Sequence, residues 1–322
     1  MTFTRFLTAL AVLTGLGLAG DARAADEVRF ATQPIPCYSP IFVAKHKHWI
    51  EEELNKVKPG IELKWSSFAA GPPINESFAA GQQDFGFLGD TPALIAKSVG
   101  IDTKVVGISA SGPKSLAVVV AAGSPLHAAK DLKGKKVAVT KGSFAQHLLA
   151  LVLESGGLTF SDIELVNLPN ADIAPAIIAG TIDAGAVWEP VISRFESQKA
   201  IQVLADGTGL KKGLLVIVAS TEFVKAKTDQ AKAVLRAYAR GAEYIRTNPK
   251  EAAALISSDT NLAPELLVQV FGKLDFNPVI REDDINELKK SEAYSRSIGL
   301  IKAPVDIEPW LDRSLIGDGA TK

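Results

Sequence analysis

One short sequence pattern occurs twice in this chain, each time in similar surroundings. The pattern A-G-x-x-D-x-G occupies residues 80–86 and returns at residues 179–185. A few residues after each final glycine comes an acid, Asp90 or Glu189, which is soon followed by a proline. A single copy of this pattern would carry little weight. The shared surroundings indicate that the chain consists of two related halves.

Strands and helices alternate in the same order around the two copies. The predicted strands cover residues 28–32, 61–68 and 84–88 in the first half, and 136–140, 163–168 and 183–187 in the second. The predicted helices cover residues 39–54, 72–80, 144–156 and 172–179, with a further helix at 229–246. Strands rich in Val, Ile and Leu that alternate with helices form mainly parallel sheets covered on both faces. The sequence therefore predicts an α/β protein with two lobes.

Two continuous apolar runs connect the predicted lobes. Residues 115–122 leave the first lobe, and residues 214–219 return from the second. A pair of crossings between two sheets forms a hinge that allows the lobes to close on a ligand. We therefore expect residues 25–114 to begin lobe 1 and residues 115–219 to form lobe 2 with a crossing at each end. The helical segment 220–322, which prolines divide, should complete lobe 1.

The first 24 residues are typical of a secretory signal peptide. Arg5 precedes an apolar run at residues 6–19, and Ala22-Arg23-Ala24 forms a cleavage site of small residues. The run is shorter than the ~20 residues that a membrane-spanning helix needs. A buried N-terminal helix is the alternative, but it does not explain the small-residue ending. We expect cleavage after residue 24 and export to the periplasm.

Charge and cysteine content narrow the class of protein. The chain has 35 basic and 36 acidic residues, and this near-neutral balance argues against binding to nucleic acid. Its one cysteine, Cys37, lies beyond the predicted cleavage site, so we expect neither a disulfide nor a lipid anchor. The sequence predicts a monomer that diffuses freely in the periplasm.

The motifs of common catalytic and metal sites are missing from the sequence. Beyond the predicted signal peptide, whose residues 15–20 happen to read G-x-G-x-x-G, it contains no H-E-x-x-H, G-x-S-x-G, P-loop or G-x-G-x-x-G pattern. His46 and His48 stand two residues apart in a predicted helix, so they point to different faces and cannot share a metal ion. A single cysteine also excludes a cysteine-rich zinc site. We therefore expect binding without catalysis, and no cofactor or metal.

The candidate ligand site lies where the predicted strands end, because ligands of open α/β sheets bind beyond the carboxyl ends of the strands. Each of these ends leads into a helix start, whose unpaired N–H groups attract anions. Gly89 and Gly142 allow the backbone to approach a ligand closely, and the hydroxyl groups of Thr91 and Ser143 add donors. Four such turns, at residues 33–40, 89–92, 141–144 and 188–190, would surround one cleft and predict a site for a small oxyanion.

Each of these residues also has a plain structural interpretation. Ser143 and Thr91 could cap their helices, as such residues commonly do. Asp90 and Glu189 could complement the helix dipoles. Trp188 could belong to the core. The repetition of the pattern and its place at the strand ends favour the ligand site for the set as a whole.

Five motifs, at residues 68–72, 80–86, 89–92, 131–139 and 187–190, together with the signal peptide, resemble those of substrate-binding components of ABC importers. The similar branch is the one for nitrate, taurine and aliphatic sulfonates, and the resemblance extends over nearly all of the chain after residue 24. It implies a two-lobed periplasmic-binding-protein fold of type II, with an inner-membrane permease and its ATPase as partners. The binding residues that it implies are Gln33, Tyr38, Gly89, Asp90, Thr91, Ser143, Phe144, Trp188 and Glu189.

The same resemblance implies a small organosulfonate ligand, and an alkanesulfonate is our first hypothesis. Taurine, nitrate and an aromatic or thiamine-precursor ligand are the alternatives, since Glu189 stands where many similar sulfonate binders have aspartate. Thiamine-pyrimidine synthases also resemble this lineage, but they use a cysteine-rich iron-binding segment that this chain lacks. A sensor subunit would present the same cleft.

Overall fold

The computed structural model describes residues 26–316, in which the strands all lie between residues 27 and 220 and helices alone follow them. The strands are β1 Glu27–Thr32, β2 Glu62–Ser67, β3 Phe85–Gly89, β4 Thr103–Ser111, β5 Leu116–Ala121, β6 Lys136–Val139, β7 Glu164–Asn167, β8 Ala184–Trp188, β9 Ile201–Asp206 and β10 Leu214–Ser220. The α-helices are α1 Ser39–His46, α2 Trp49–Asn55, α3 Gly71–Ala79, α4 Asp90–Ser98, α5 Phe144–Ser155, α6 Asn170–Ile178, α7 Val191–Ser197, α8 Thr221–Ala226, α9 Thr228–Thr247, α10 Pro249–Thr260, α11 Pro264–Phe271, α12 Glu282–Ser297 and α13 Ile307–Trp310. The predicted signal peptide, residues 1–24, lies outside the described residues.

The two halves of the sequence form two sheets with the same plan. The first sheet has the strand order β2-β1-β3-β10-β4, and the second has the order β7-β6-β8-β5-β9. In each sheet the first three strands are parallel, and the fourth is antiparallel to both of its neighbours. The predicted α/β fold with two lobes is confirmed, with sheets that are mixed although most strands share one direction.

The antiparallel strand of each sheet arrives from the other lobe. β5 follows β4 along the chain but pairs in the second sheet, and β10 follows β9 but pairs in the first. The two connections touch at Gly112 and Gly213, where a β-carbon added to Gly213 would lie 2.3 Å from the Gly112 carbonyl oxygen. Only glycine fits such an approach. Residues 214–219 therefore belong to the first sheet, and the return crossing ends before them.

Burial follows the position of each strand in its sheet. The central strands β3 and β8 are fully buried, whereas the edge strands β2 and β7 are partly exposed. One apolar core extends through both lobes, and two further clusters cover the remaining faces of the two sheets. Strands buried on both faces need apolar side chains on both, which explains why β3 and β8 consist of apolar residues and glycine.

The C-terminal helices pack onto the first lobe. α9 lies against α1, and a β-carbon added to Gly241 would lie 2.1 Å from the Pro40 carbonyl oxygen, so this helix pair requires a glycine. The predicted helix at residues 39–54 is two helices, because His48 has a left-handed φ of 57° that ends α1. Within residues 26–316, no helix has both the length and the apolar character needed to cross a membrane.

Candidate ligand-binding cleft

The two lobes are closed against each other at the carboxyl ends of their parallel strands. A β-carbon added to Gly89, at the end of β3, would lie 3.2 Å from Cγ of Phe144 in α5. One added to Gly142 would lie 3.6 Å from Cδ1 of Ile95 in α4. The turns at Gly89 and Gly142 therefore lie at one interface between the lobes. Because glycine has no side chain, Gly89 leaves room for the Phe144 ring and Gly142 leaves room for Ile95 of α4.

Gln33 and Tyr38 lie in the loop that connects β1 to α1. The Gln33 side-chain amide donates one hydrogen bond to the Tyr38 hydroxyl oxygen (3.2 Å) and one to the Phe87 carbonyl oxygen (3.2 Å). Both side chains are buried. Burial raises the pKa of Tyr38 well above its ordinary value, so the phenol keeps its proton. This loop is thereby fixed against β3, beside the turn at Gly89.

Asp90 begins α4 and makes a buried ion pair within the protein. Its Oδ1 atom accepts hydrogen bonds from the backbone N–H (2.7 Å) and the hydroxyl (3.2 Å) of Thr91. Its Oδ2 atom accepts from Lys211 Nζ (2.6 Å) and from the Ser291 hydroxyl (2.6 Å). Asp90 and Lys211 are both completely buried. The Asp90 carboxylate, which the sequence predicted at the cleft, is therefore paired with a lysine of the protein itself.

Lys211 belongs to the return crossing between β9 and β10, and it joins both lobes. Besides Asp90 of the first lobe, its Nζ atom lies 3.1 Å from Nδ1 of His147 on α5 of the second lobe. The His147 ring stacks on Tyr294 of α12, with ring centroids 4.1 Å apart. These contacts connect the crossing, both lobes and the C-terminal segment in one buried cluster.

The charges in this cluster keep Asp90 ionised and His147 neutral. Burial alone would raise the pKa of the Asp90 carboxyl, but the Lys211 charge and its hydrogen bond outweigh burial and lower the pKa. Burial, followed by repulsion from Lys211, lowers the pKa of His147 to about 3. At neutral pH the imidazole is therefore uncharged, and Nδ1 accepts the hydrogen bond from the ammonium group.

Gly142 and Ser143 form the turn that starts α5. Gly142 has a φ of 74°, which favours glycine, and its N–H donates to the Gln146 side chain (2.8 Å). The Ser143 hydroxyl donates to the Thr140 carbonyl oxygen (2.7 Å) and accepts from the Gln146 N–H (3.3 Å). Ser143 thus caps the helix in this structure. Its contact with a ligand stays a prediction.

Phe144 and Trp188 form an aromatic wall on the second lobe. Their ring centroids are 5.6 Å apart at an interplanar angle of 53°, and both side chains are buried. Trp188 is fixed through its backbone by the side chain of Asn170, which accepts from its N–H at 3.1 Å. A rigid apolar wall of this kind suits the hydrocarbon part of a ligand.

Glu189 follows β8 as Asp90 follows β3, and it too holds a lysine. Its Oε1 atom lies 2.7 Å from Lys273 Nζ and accepts from the Ser193 hydroxyl at 2.8 Å, while Oε2 accepts from the Ser193 N–H at 3.1 Å. Glu189 is fully buried. Lys273 follows α11 in the C-terminal segment, so this ion pair links that segment to the second lobe. Both acids of the internal repeat are thus neutralised by lysines.

Several side chains in this region were not identified from the sequence, among them His147, Lys211, Lys273, Ser193 and Ser291. His147 is buried, and its ring lies between Lys211 and Tyr294. The one available signal was Lys211-Lys212, a pair of charges directly before the apolar strand β10. Lys273 carried no signal, because its partner is 84 residues away in the sequence.

A cavity of about 1000 Å³ opens elsewhere, on the first lobe. Its lining includes Trp49 of α2, Tyr244 of α9 and Phe271 at the end of α11. None of the predicted binding residues lines it. It is therefore a feature separate from the cleft between the lobes.

Comparison with known proteins places the chain among binding proteins. Residues 35–252 match the family described as NMT1/THI5 like. A protein of Bacillus subtilis (strain 168) named as an aliphatic sulfonates-binding protein is 29% identical over 93% of this chain and 90% of its own length. A protein of Escherichia coli (strain K12) with the same name is 32% identical over 70% of each chain.

A solved structure gives the same result for the fold. The alkanesulfonate-binding protein SsuA of Xanthomonas axonopodis pv. citri, solved with bound MOPS, superposes with a TM-score of 0.80 at 26% identity. The match covers 90% of this chain and 100% of that one, so both lobes are included. With two lobes of matching plan and a family match over most of its length, this chain belongs to the NMT1/THI5-like family and has a periplasmic-binding-protein fold.

Proposed function

We propose that this protein is the periplasmic substrate-binding component of an ABC importer and that it captures an alkanesulfonate between its lobes. The names of the two relatives and of the solved structure support the ligand class. The observation that supports an alkanesulfonate over the other ligands is how the two acids of the cleft are paired. Asp90 and Glu189 are each paired with a lysine of the protein.

This pairing favours a plain alkanesulfonate over taurine. Taurine carries an ammonium group, and a carboxylate that is free to pair with that charge would favour its binding. Each of the two repeat acids already has its cation at hydrogen-bond distance. The sulfonate oxygens would instead meet the N–H groups at the starts of α4 and α5, and the alkyl chain would lie on Phe144 and Trp188.

Transport, rather than catalysis, is the role that these features support. The candidate nucleophile in the loop between β1 and α1 is the Cys37 thiol. This thiol is fully buried, and burial raises its pKa, so it is a poor nucleophile. The relatives carry the names of binding proteins. The mature protein, exported and cleaved after residue 24, would act as a monomer that delivers its ligand to an inner-membrane permease driven by an ATPase.

A thermal-shift screen of residues 25–322 tests this proposal. Ligand that binds only the native state stabilises it by about 2.7 kcal/mol at 100 times its Kd, which raises the melting temperature. We expect 1-butanesulfonate to raise it, with smaller effects from taurine, nitrate and the pyrimidine precursor of thiamine. Butylamine, which has the same chain length and the opposite charge, is the matched control. A shift with the pyrimidine or with butylamine alone would contradict the proposal.

A further inference from the structure

The two lysines at the cleft acids differ in how fully their ammonium groups are used. Lys211 Nζ lies within 3.1 Å of three side chains, those of Asp90, His147 and Ser291. An ammonium group has three hydrogen-bond donors, so all of them are engaged. The Lys211 side chain is also completely buried. Lys211 is therefore a structural cation with no donor left for a ligand.

Lys273 has a donor to spare. Its Nζ atom donates to Glu189 Oε1 (2.7 Å) and to the Ser193 hydroxyl (2.9 Å). Among residues 26–316 the other acidic neighbour is Glu196, whose Oε2 atom is 3.8 Å away and thus beyond hydrogen-bond distance. The Lys273 side chain is 24% exposed, unlike that of Lys211. One N–H of this ammonium group is consequently available to an acceptor from outside the protein.

Lys273 also lies at the cleft. It reaches from the C-terminal segment to Glu189, the residue that directly follows Trp188 of the aromatic wall. The Lys273 backbone packs against the connection between the lobes, because a β-carbon added to Gly112 would lie 2.2 Å from the Lys273 carbonyl oxygen. Lys273 therefore lies where the C-terminal segment meets both the connection between the lobes and the second repeat acid. Glu189 and Ser193 fix its position from one side.

We propose that Lys273 is the cationic contact of the ligand's sulfonate group, with Glu189 and Ser193 as positioning residues that act through it. The inference rests on the proposed function and names the residue that recognises the anion. A hydrogen bond between charged groups is short and about twice as strong as a neutral one. Glu189 does not cancel this contact, because an ammonium group can serve two anions with separate N–H donors. Asp90 is neutralised separately by Lys211.

Three single variants and one double variant test the assignment by titration calorimetry with 1-butanesulfonate. Lys273→Met should weaken binding by about 10- to 100-fold, the value of a hydrogen bond to a charged group. Lys273→Arg, which keeps the charge, should retain most of the affinity. Lys250→Met removes an exposed lysine of α10, away from the cleft, and should bind as wild type does. The uncharged butyl methyl sulfone should bind wild type and Lys273→Met equally.

The double variant Lys273→Met/Glu189→Gln separates ligand contact from a structural role, and it avoids leaving an unpaired charge in the interior. If Lys273 only neutralises Glu189, removing both charges restores wild-type affinity, and the inference is overturned. If Lys273 contacts the sulfonate, the double variant still binds about 10- to 100-fold more weakly. Absence of sulfonate binding by the wild type would instead reject the proposed function itself.

Discussion

The Nζ atom of Lys211 lies 2.6 Å from Oδ2 of Asp90, and both side chains are completely buried. The pair connects the return crossing to the first turn of α4, and His147 extends it into the second lobe. Removing one partner from a buried pair leaves an uncompensated charge in the interior, which costs far more than the loss of an exposed pair. The closed arrangement of the lobes thus depends on charge pairing inside the hinge region.

Lys211→Met should lower the free energy of unfolding by about 3–5 kcal/mol, because Asp90 would remain buried without its cation. Urea unfolding followed by circular dichroism measures this loss. The double variant Lys211→Met/Asp90→Asn is the matched control and should recover most of the stability. A loss below about 1 kcal/mol in the single variant, typical of an exposed pair, would show that the cluster is hydrated.

We expect His147 to make the free energy of unfolding depend on pH. Its folded pKa is lowered to about 3, whereas an unfolded histidine has a pKa of about 6.5. Between these values the unfolded chain binds the additional proton, so stability falls as the pH is lowered, by about 2 kcal/mol from pH 6.5 to pH 5. His147→Gln keeps an acceptor for Lys211 but does not titrate. Its urea midpoint should fall less over this range, and parallel curves for the two proteins would contradict the assignment.

Cys37 should resist alkylation in the native protein. Burial raises the pKa of its thiol and also blocks access, so iodoacetamide meets neither a thiolate nor an exposed sulfur. Mass spectrometry should show no modification near neutral pH and complete modification in urea. Rapid alkylation of the native protein would show that the loop between β1 and α1 opens to solvent, and it would favour an enzymatic role for Cys37.

Glu189→Gln should affect two ligands alike. Because Glu189 holds Lys273 rather than a ligand ammonium group, the variant should weaken 1-butanesulfonate and taurine by the same factor in calorimetry. A carboxylate that met the taurine ammonium group directly would be worth about 2–5 kcal/mol for that ligand alone. A selective loss of taurine binding would therefore show that Glu189 addresses the ligand.

Local patterns were sufficient to predict most of the fold. The apolar runs predicted six of the ten strands of residues 26–316 within one or two residues, and the repeat predicted that the halves share a plan, whereas β4 and β9 were not predicted. The break at His48 was missed, because no glycine or proline marks it and only the left-handed backbone there reveals it. The place of β10 was also missed, because an apolar run does not tell in which sheet it pairs.

Side-chain partners distant in sequence could not be predicted. Asp90 and Glu189 were recognised as cleft acids from the repeat, but their lysines are 121 and 84 residues away. Sequence spacing reports neighbours on one helix or strand and says nothing about such pairs. Only the three-dimensional geometry shows that each acid is paired with a lysine. That geometry supports the alkanesulfonate that was already the first hypothesis from the sequence.

A crystal structure of residues 25–322 with 1-butanesulfonate tests the central claim most directly. We predict one ligand per chain between the lobes, with its alkyl chain on Phe144 and Trp188. One sulfonate oxygen should lie at 2.7–2.9 Å from Lys273 Nζ, the usual length of a charge-assisted hydrogen bond. A ligand bound instead in the cavity beside Trp49, or a cleft that remains closed and empty at saturating ligand, would contradict the account.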